Sequence, residues 1–106
     1  MLLLSVVTAI MAQKTLSGTI LSKTDGQPVE MATVRLFSYS GVDSTLVQGA
    51  QTYYDGLFIL SNIREGKYRL IVSSIGYNEY SQWVEMKHAD IDLPAIRLVE
   101  QVQELA

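Results

Sequence analysis

Few side chains in this sequence are able to do acid–base or nucleophilic chemistry. His88 is the one histidine and cysteine is absent, so an acid–base site would have to use His88 or a carboxylate. Ser73 or Ser74 could be combined with His88 and Asp90 as a serine–histidine–aspartate triad. Both serines, however, lie in or beside a predicted strand, and neither stands in the Gly-x-Ser-x-Gly turn that exposes a nucleophile. We predict no catalytic residue.

Four of the five aspartates are considered as ligands of a hard cation such as Ca²⁺, which prefers carboxylate oxygen atoms. Asp43, Asp55, Asp90 and Asp92 do not have the spacing of an EF-hand loop. Asp55 precedes a glycine, as in a turn, and Asp90 and Asp92 alternate with apolar residues, as on the solvent side of a strand. We therefore predict no metal site and no cofactor.

The aromatic side chains offer a candidate binding surface, because aromatic residues bury large areas at interfaces. A sandwich core would take about half of them, and the others would cover cross-strand neighbours. Tyr53 and Tyr54 are adjacent in the chain and point to opposite faces if extended, so at least one of them is expected to be exposed. Trp83 is predicted to point outward. We predict a partner surface at Tyr53, Tyr54 and Trp83.

The composition describes one folding unit of modest charge. The chain has 106 residues, 48% of them hydrophobic and 18% charged, which fits a single domain with its own core and argues against a disordered chain. The net charge is −3 and the eight basic residues are scattered along the sequence. This pattern argues against a nucleic-acid partner. No disulfide can brace the core.

The two ends of the chain differ from its middle. Residues 1–12, MLLLSVVTAIMA, form an apolar stretch of signal-peptide length, too short to span a bilayer. We interpret it as the remnant of a secretory signal, with an N-terminal buried strand or short helix as the alternative. The domain itself is predicted over residues 13–99. Residues 100–106 are predicted to begin a linker to a downstream region.

Between these ends, short runs alternate apolar and polar residues with a period of two, which predicts strands. We count about seven strands and no core helix, and we predict an all-β Greek-key sandwich, transthyretin-like or immunoglobulin-like. The residues predicted to point inward are Leu16, Gly18, Ile20, Ala32, Val34, Leu36, Phe58, Leu60, Tyr68, Leu70, Val72, Tyr80, Val84, Met86, Ile96 and Leu98.

Glycine, aspartate and proline mark the turns and edges between those strands. Asp55-Gly56 is the clearest hairpin signal in the sequence, and Asp25-Gly26, Gly66 and Gly76 predict further reversals. Gly49 indicates a bulge or an edge strand in the run that contains it, and Pro94 indicates an edge position or a bulge.

Three blocks of this pattern resemble the carboxypeptidase-regulatory-like domain, a transthyretin-like (prealbumin-like) sandwich. They read SGTILSKTDGQPVEMATVRL, YYDGLFILSNIREGKYRLIVSSIGY and IDLPAIRLVE, and the resemblance extends over roughly residues 15–98. The chain departs from the usual family pattern at Glu30-Met31, where a Gly-Ala pair is common, and at Tyr53-Tyr54, where a Thr-Asp step is usual. Neither change breaks the strand pattern.

The resemblance implies a role without chemistry, because domains of this kind occur at the N-terminus of TonB-dependent outer-membrane receptors of Bacteroidetes, which take up nutrients. It implies an exported module on the periplasmic side of the outer membrane, whose protein partner is its own downstream plug and barrel or the periplasmic apparatus. The membrane would be met only through that barrel. Two alternatives stay open: a carbohydrate-binding or adhesin sandwich of a cell-surface protein, with a glycan ligand, and an accessory domain of a secreted peptidase.

Overall fold

The structure, a computed structural model, describes residues 13–102. The predicted signal segment at residues 1–12 and the last part of the predicted linker lie outside the described residues. Residues 13–102 form no helix, and hence none long and apolar enough to cross a membrane. They form eight strands: β1 Lys14–Ser22, β2 Thr33–Ser40, β3 Asp43–Gln51, β4 Leu57–Ile63, β5 Gly66–Ser73, β6 Tyr80–Met86, β7 Ile91–Asp92 and β8 Ile96–Leu98.

The eight strands form two sheets. In the first sheet β1 lies between β4, which is antiparallel to it, and the pair β7 and β8, which are parallel to it. Pro94 separates β7 from β8, so this edge of the sheet is made in two short pieces. The prediction of an edge position at Pro94 is confirmed, and the division explains eight strands where about seven were expected.

The second sheet has the order β3-β2-β5-β6 and is antiparallel throughout. Strand β3 is an edge strand, as predicted. Its bulge lies at Val47, because Leu36 pairs with Gln48 while Phe37 pairs with Leu46. Gly49 is two residues away and pairs regularly with Arg35, so the interpretation of Gly49 as the bulge is wrong.

The core lies between the two sheets and is built by the alternation of inward and outward residues along each strand. All-β sandwich architecture is confirmed, and nearly all of the residues predicted to point inward are buried; Tyr80 is half-buried at the start of β6. The largest fully buried side chains are Phe58, Leu16, Ile20, Leu36, Leu60, Ile63, Leu70, Met86, Leu98, Val34 and Val72.

The prediction of a β-hairpin at Asp55-Gly56 is wrong, because the two strands on either side of this turn do not pair. A tight turn does form there, with the Gly56 N–H donating to the Tyr53 carbonyl at 2.9 Å. The turn, however, connects β3 in the second sheet to β4 in the first, where Gly18 of β1 is the Cα partner of Phe58. The chain therefore crosses from one sheet to the other at this turn. As a result, Phe58 is buried against β1 and does not lie beside β3.

Thr52, just after β3, ties the crossing segment between β1 and β2 to the second sheet. It is 2% exposed. Its Oγ1 donates to the Val29 carbonyl at 2.6 Å and accepts the Ala32 N–H at 2.8 Å. The Thr52 N–H donates to the Ala32 carbonyl at 3.0 Å, and its carbonyl accepts the Met31 N–H at 3.1 Å.

Replacing Thr52 with valine is expected to lower the free energy of unfolding by about 2 kcal/mol. Valine has the same shape but leaves the Ala32 N–H and the Val29 carbonyl buried without the hydroxyl that now satisfies them. Urea denaturation measures the change. The matched control is Thr45→Val on exposed β3, expected to alter stability by at most about 0.5 kcal/mol. Equal effects of the two substitutions would contradict this role of the hydroxyl.

Candidate functional site

The outer face of the second sheet carries the most distinctive group of exposed side chains. On β5, Tyr68, Leu70 and Val72 point into the core, so Lys67 and Arg69 point to the opposite, outer face. Strand pairing then sets their neighbours. Arg69 lies between Phe37 of β2 and Trp83 of β6, and Lys67 lies beside Glu85 of β6.

Trp83, on the edge strand β6, packs against several of these side chains and is 49% exposed. Its ring centroid is 5.1 Å from the Lys67 Nζ and 5.1 Å from the Arg69 Cζ, both within the range of cation–π attraction. The ring of Tyr39 lies 5.3 Å away, tilted by 58°. Arg69 is also fixed by its Nη2, which donates to Ser81 Oγ at 2.8 Å.

Arg35 extends the same pattern along β2. Its guanidinium carbon is 5.6 Å from the ring centroid of Phe37, while its Nε is buried and has no hydrogen-bond partner among the described residues. We call Arg35, Phe37, Tyr39, Lys67, Arg69 and Trp83 the aromatic–cationic face.

The electrostatic character of this face is opposite to that of the whole chain, whose net charge is −3. Glu85 is the one carboxylate on the outward positions of the four strands. Within residues 13–102 the single ion pair joins Glu85 to Lys87 at 3.9 Å, with both side chains exposed. The three cations of the face are therefore held against aromatic rings and not against carboxylates.

The structure does not bring the three predicted surface residues together. Trp83 lies in the row of Arg69 and Phe37, whereas Tyr53 and Tyr54 belong to the turn that follows Gln51. Gln51 pairs with Thr33, four residues from Phe37 along β2, or about 13 Å. Both tyrosines are exposed, 56% for Tyr53 and 82% for Tyr54. The predicted surface is thus two separate places.

Sequence reasoning missed Arg35, Phe37, Lys67 and Arg69 as companions of Trp83. Their outward orientation follows from strand alternation. The sequence pattern does not show the strand order β2-β5-β6, and only this order makes them neighbours.

A shallow depression of about 520 Å³ lies at the Thr33 end of the same sheet surface. It is lined by Met31, Thr33, Gln51, Ser73, Ser74 and Ile75.

The model of the carboxypeptidase regulatory-like domain matches residues 15–98. This chain belongs to that family. The match covers all of the strands except the first residue of β1, so the family describes the sandwich itself. No match was found among curated proteins.

Solved structures show the same fold in several settings at low sequence identity. A streptococcal ancillary pilin aligns over 88% of this chain and 31% of its own, with 11% identity and a TM-score of 0.68. A DUF3823 family protein from Bacteroides uniformis aligns over 82% and 43%, with 17% identity and a TM-score of 0.62. An (S)-allantoin synthase aligns over 82% and 41%, with 17% identity and a TM-score of 0.59. The present chain thus corresponds to less than half of the length of each of these three proteins.

The residues considered for catalysis lie far apart in this carboxypeptidase regulatory-like domain. Gly66 pairs with Met86, so His88 lies beyond the Gly66 end of β5, and Ser73 lies at its other end. Seven residues of strand separate these ends by about 23 Å. Asp90 instead accepts the Thr15 N–H at 2.8 Å. The triad considered from the sequence is not assembled.

The four aspartates considered for Ca²⁺ likewise do not come together at one site. Asp55 Oδ1 accepts the Leu57 N–H at 3.1 Å within its turn, and Asp92 Oδ1 accepts from Ser17 Oγ at 3.2 Å. Asp43 lies in the second sheet, at the start of β3. Over residues 13–102, histidine, aspartate and glutamate side chains nowhere form a group of three that could hold a metal ion.

Proposed function

We propose that this carboxypeptidase regulatory-like domain is a non-catalytic interaction module of an exported protein, and that it forms the periplasmic N-terminal extension of a TonB-dependent outer-membrane receptor. The observation that carries the interaction role is the aromatic–cationic face, where a half-exposed tryptophan and three cations without carboxylate partners lie on the outer face of one sheet. Tryptophan, tyrosine and arginine are the residues that dominate binding energies at protein interfaces.

Two further observations support the setting of this module. The apolar stretch at residues 1–12 is of signal-peptide length, which supports export. The family match over residues 15–98 supports a domain attached to a larger protein, since the sequence blocks of this chain resemble those of receptor extensions. The nutrient that such a receptor imports would be selected by its plug and barrel.

The test is an in-frame deletion of residues 14–98 from the full-length gene product in its native host. We expect the remaining protein to reach the outer membrane in normal amount but to lose nutrient uptake or its association with a periplasmic partner. Quantitative immunoblotting of membrane fractions controls for assembly. Unchanged uptake together with unchanged partner association would refute the proposal.

A cell-surface adhesin or carbohydrate-binding domain is the second candidate, favoured by the exposure of Trp83, since exposed aromatic rings also bind sugars. Binding of the isolated 106-residue chain to a glycan array, abolished by Trp83→Ala, would favour this candidate.

The third candidate is an accessory domain of a secreted peptidase. A zinc-dependent catalytic domain encoded in the same reading frame would identify it.

A further inference from the structure

We infer that the aromatic–cationic face is the binding site for a short acidic segment of a partner protein. This inference deepens the proposed function, and it rests on that proposal in one respect, that the domain acts by binding. Three properties of the face support this ligand: its charge, the packing of its side chains and its size.

Charge decides the class of ligand. Arg35, Lys67 and Arg69 face outward with Glu85 as the single carboxylate on the same positions, in a chain whose net charge is −3. Complementary charge steers association and rejects partners of like charge. An acidic ligand is therefore attracted to this face, whereas a second copy of the same face is repelled by it.

Lys67, Arg69 and Trp83 are packed against one another before a ligand arrives. Trp83 lies within 5.1 Å of both Lys67 and Arg69, and Arg69 is also held by its hydrogen bond to Ser81. Immobilising a long flexible side chain costs part of the binding free energy, so cations that are packed on a ring bind with less loss.

The size of the face selects a segment and not a whole domain. The six residues of the face lie on three strands, β2, β5 and β6. With strands about 4.8 Å apart and at most about five residues of each strand in the face, its surface is roughly 240 Å². A stable interface between two folded proteins uses about 800 Å² on each partner. A short acidic stretch of chain with an aromatic residue two positions from a carboxylate fits this area, because residues two apart on an extended segment point to the same side. The carboxylate would then lie on the cations and the ring beside Trp83.

Trp83 also provides the measurement, since it is the one tryptophan in the chain and its fluorescence reports on this face alone. The probe is a synthetic decapeptide of nine glutamates and one central tyrosine, titrated into the 106-residue chain at about 50 mM salt. We expect saturable quenching that weakens as salt rises. Lys67→Glu and Arg69→Glu should each raise the dissociation constant roughly tenfold.

Lys23→Glu is the matched control, because it makes the same charge change in an exposed turn outside the second sheet. We expect it to change the dissociation constant less than about twofold. Circular dichroism spectra confirm that each variant is folded. An equal effect of Lys23→Glu, or the absence of saturable quenching, overturns the inference.

Two other probes separate this ligand from other anions. An oligogalacturonate and a single-stranded oligonucleotide, each of the same net charge as the peptide, are titrated in the same way. Tighter binding of either one would overturn the assignment to a protein segment. Failure of all probes would leave the deletion phenotype of the proposed function standing, so the two outcomes can be told apart.

Discussion

Phe58→Ala is expected to destabilise the domain by about 4 kcal/mol, the range found when a fully buried aromatic ring is removed. Phe58 is wholly buried on β4, and its ring lies against β1 at a point where the facing residue has no side chain. A loss of this size is a large fraction of the stability of a small domain. Guanidinium denaturation followed by circular dichroism measures it.

Ile59→Ala is the natural control for Phe58→Ala. Ile59 is the next residue on the same strand, points to the opposite face and is 43% exposed. Its truncation is expected to cost no more than about 1 kcal/mol. Similar losses for the two substitutions would show that the Phe58 ring is not a principal component of the core.

Gly18 explains why the ring of Phe58 fits. A Cβ added at Gly18 would lie 2.7 and 2.8 Å from two ring carbons of Phe58, so the glycine makes room for the ring. Gly18→Ala is expected to cost about 2 kcal/mol by overpacking. In a Phe58→Leu background the added methyl has space, so the same change should cost clearly less. Additive effects in this double-mutant cycle would contradict direct packing.

The inward residues could be predicted from the sequence because a strand needs only its own alternation to show which face is buried. Leu16 and Ile20 on β1, and Val34 and Leu36 on β2, are each fully buried as predicted. This information is local. It depends on the period of two and on turn residues, both of which can be read from a few consecutive positions.

Strand order could not be predicted in the same way. Asp55-Gly56 has the chemistry of a tight turn, and the turn is present, but turn chemistry does not decide which sheet the next strand joins. In the structure β4 pairs with β1, where Phe58 lies opposite Gly18, a contact between residues 40 positions apart in the chain (58 − 18 = 40). The aromatic–cationic face was missed for the same reason, since Trp83 and Tyr39 become neighbours only through the order β2-β5-β6.

Gly56→Ala is expected to destabilise the domain by about 3 kcal/mol, combining left-handed backbone strain with overpacking. Gly56 has a φ of 79°, and its carbonyl accepts the Ile20 N–H at 2.8 Å. A Cβ at this position would collide with the Ile20 carbonyl oxygen and lie 3.3 Å from the Pro28 Cβ. The turn that connects the two sheets is therefore held directly against β1 at Ile20. Urea denaturation measures the effect.

Gly41→Ala separates the two causes. Gly41 has a φ of 64° but nothing within 4 Å of an added Cβ, so alanine there carries only the backbone strain, about 1 kcal/mol. The difference between the two variants is the cost of the collision, and equal losses would show that there is none. The collision at Gly56 is with a backbone oxygen, whereas the one at Gly18 is with a side chain. A second substitution can therefore relieve Gly18→Ala, but no change of side chain at Ile20 can move the atom that excludes alanine from position 56.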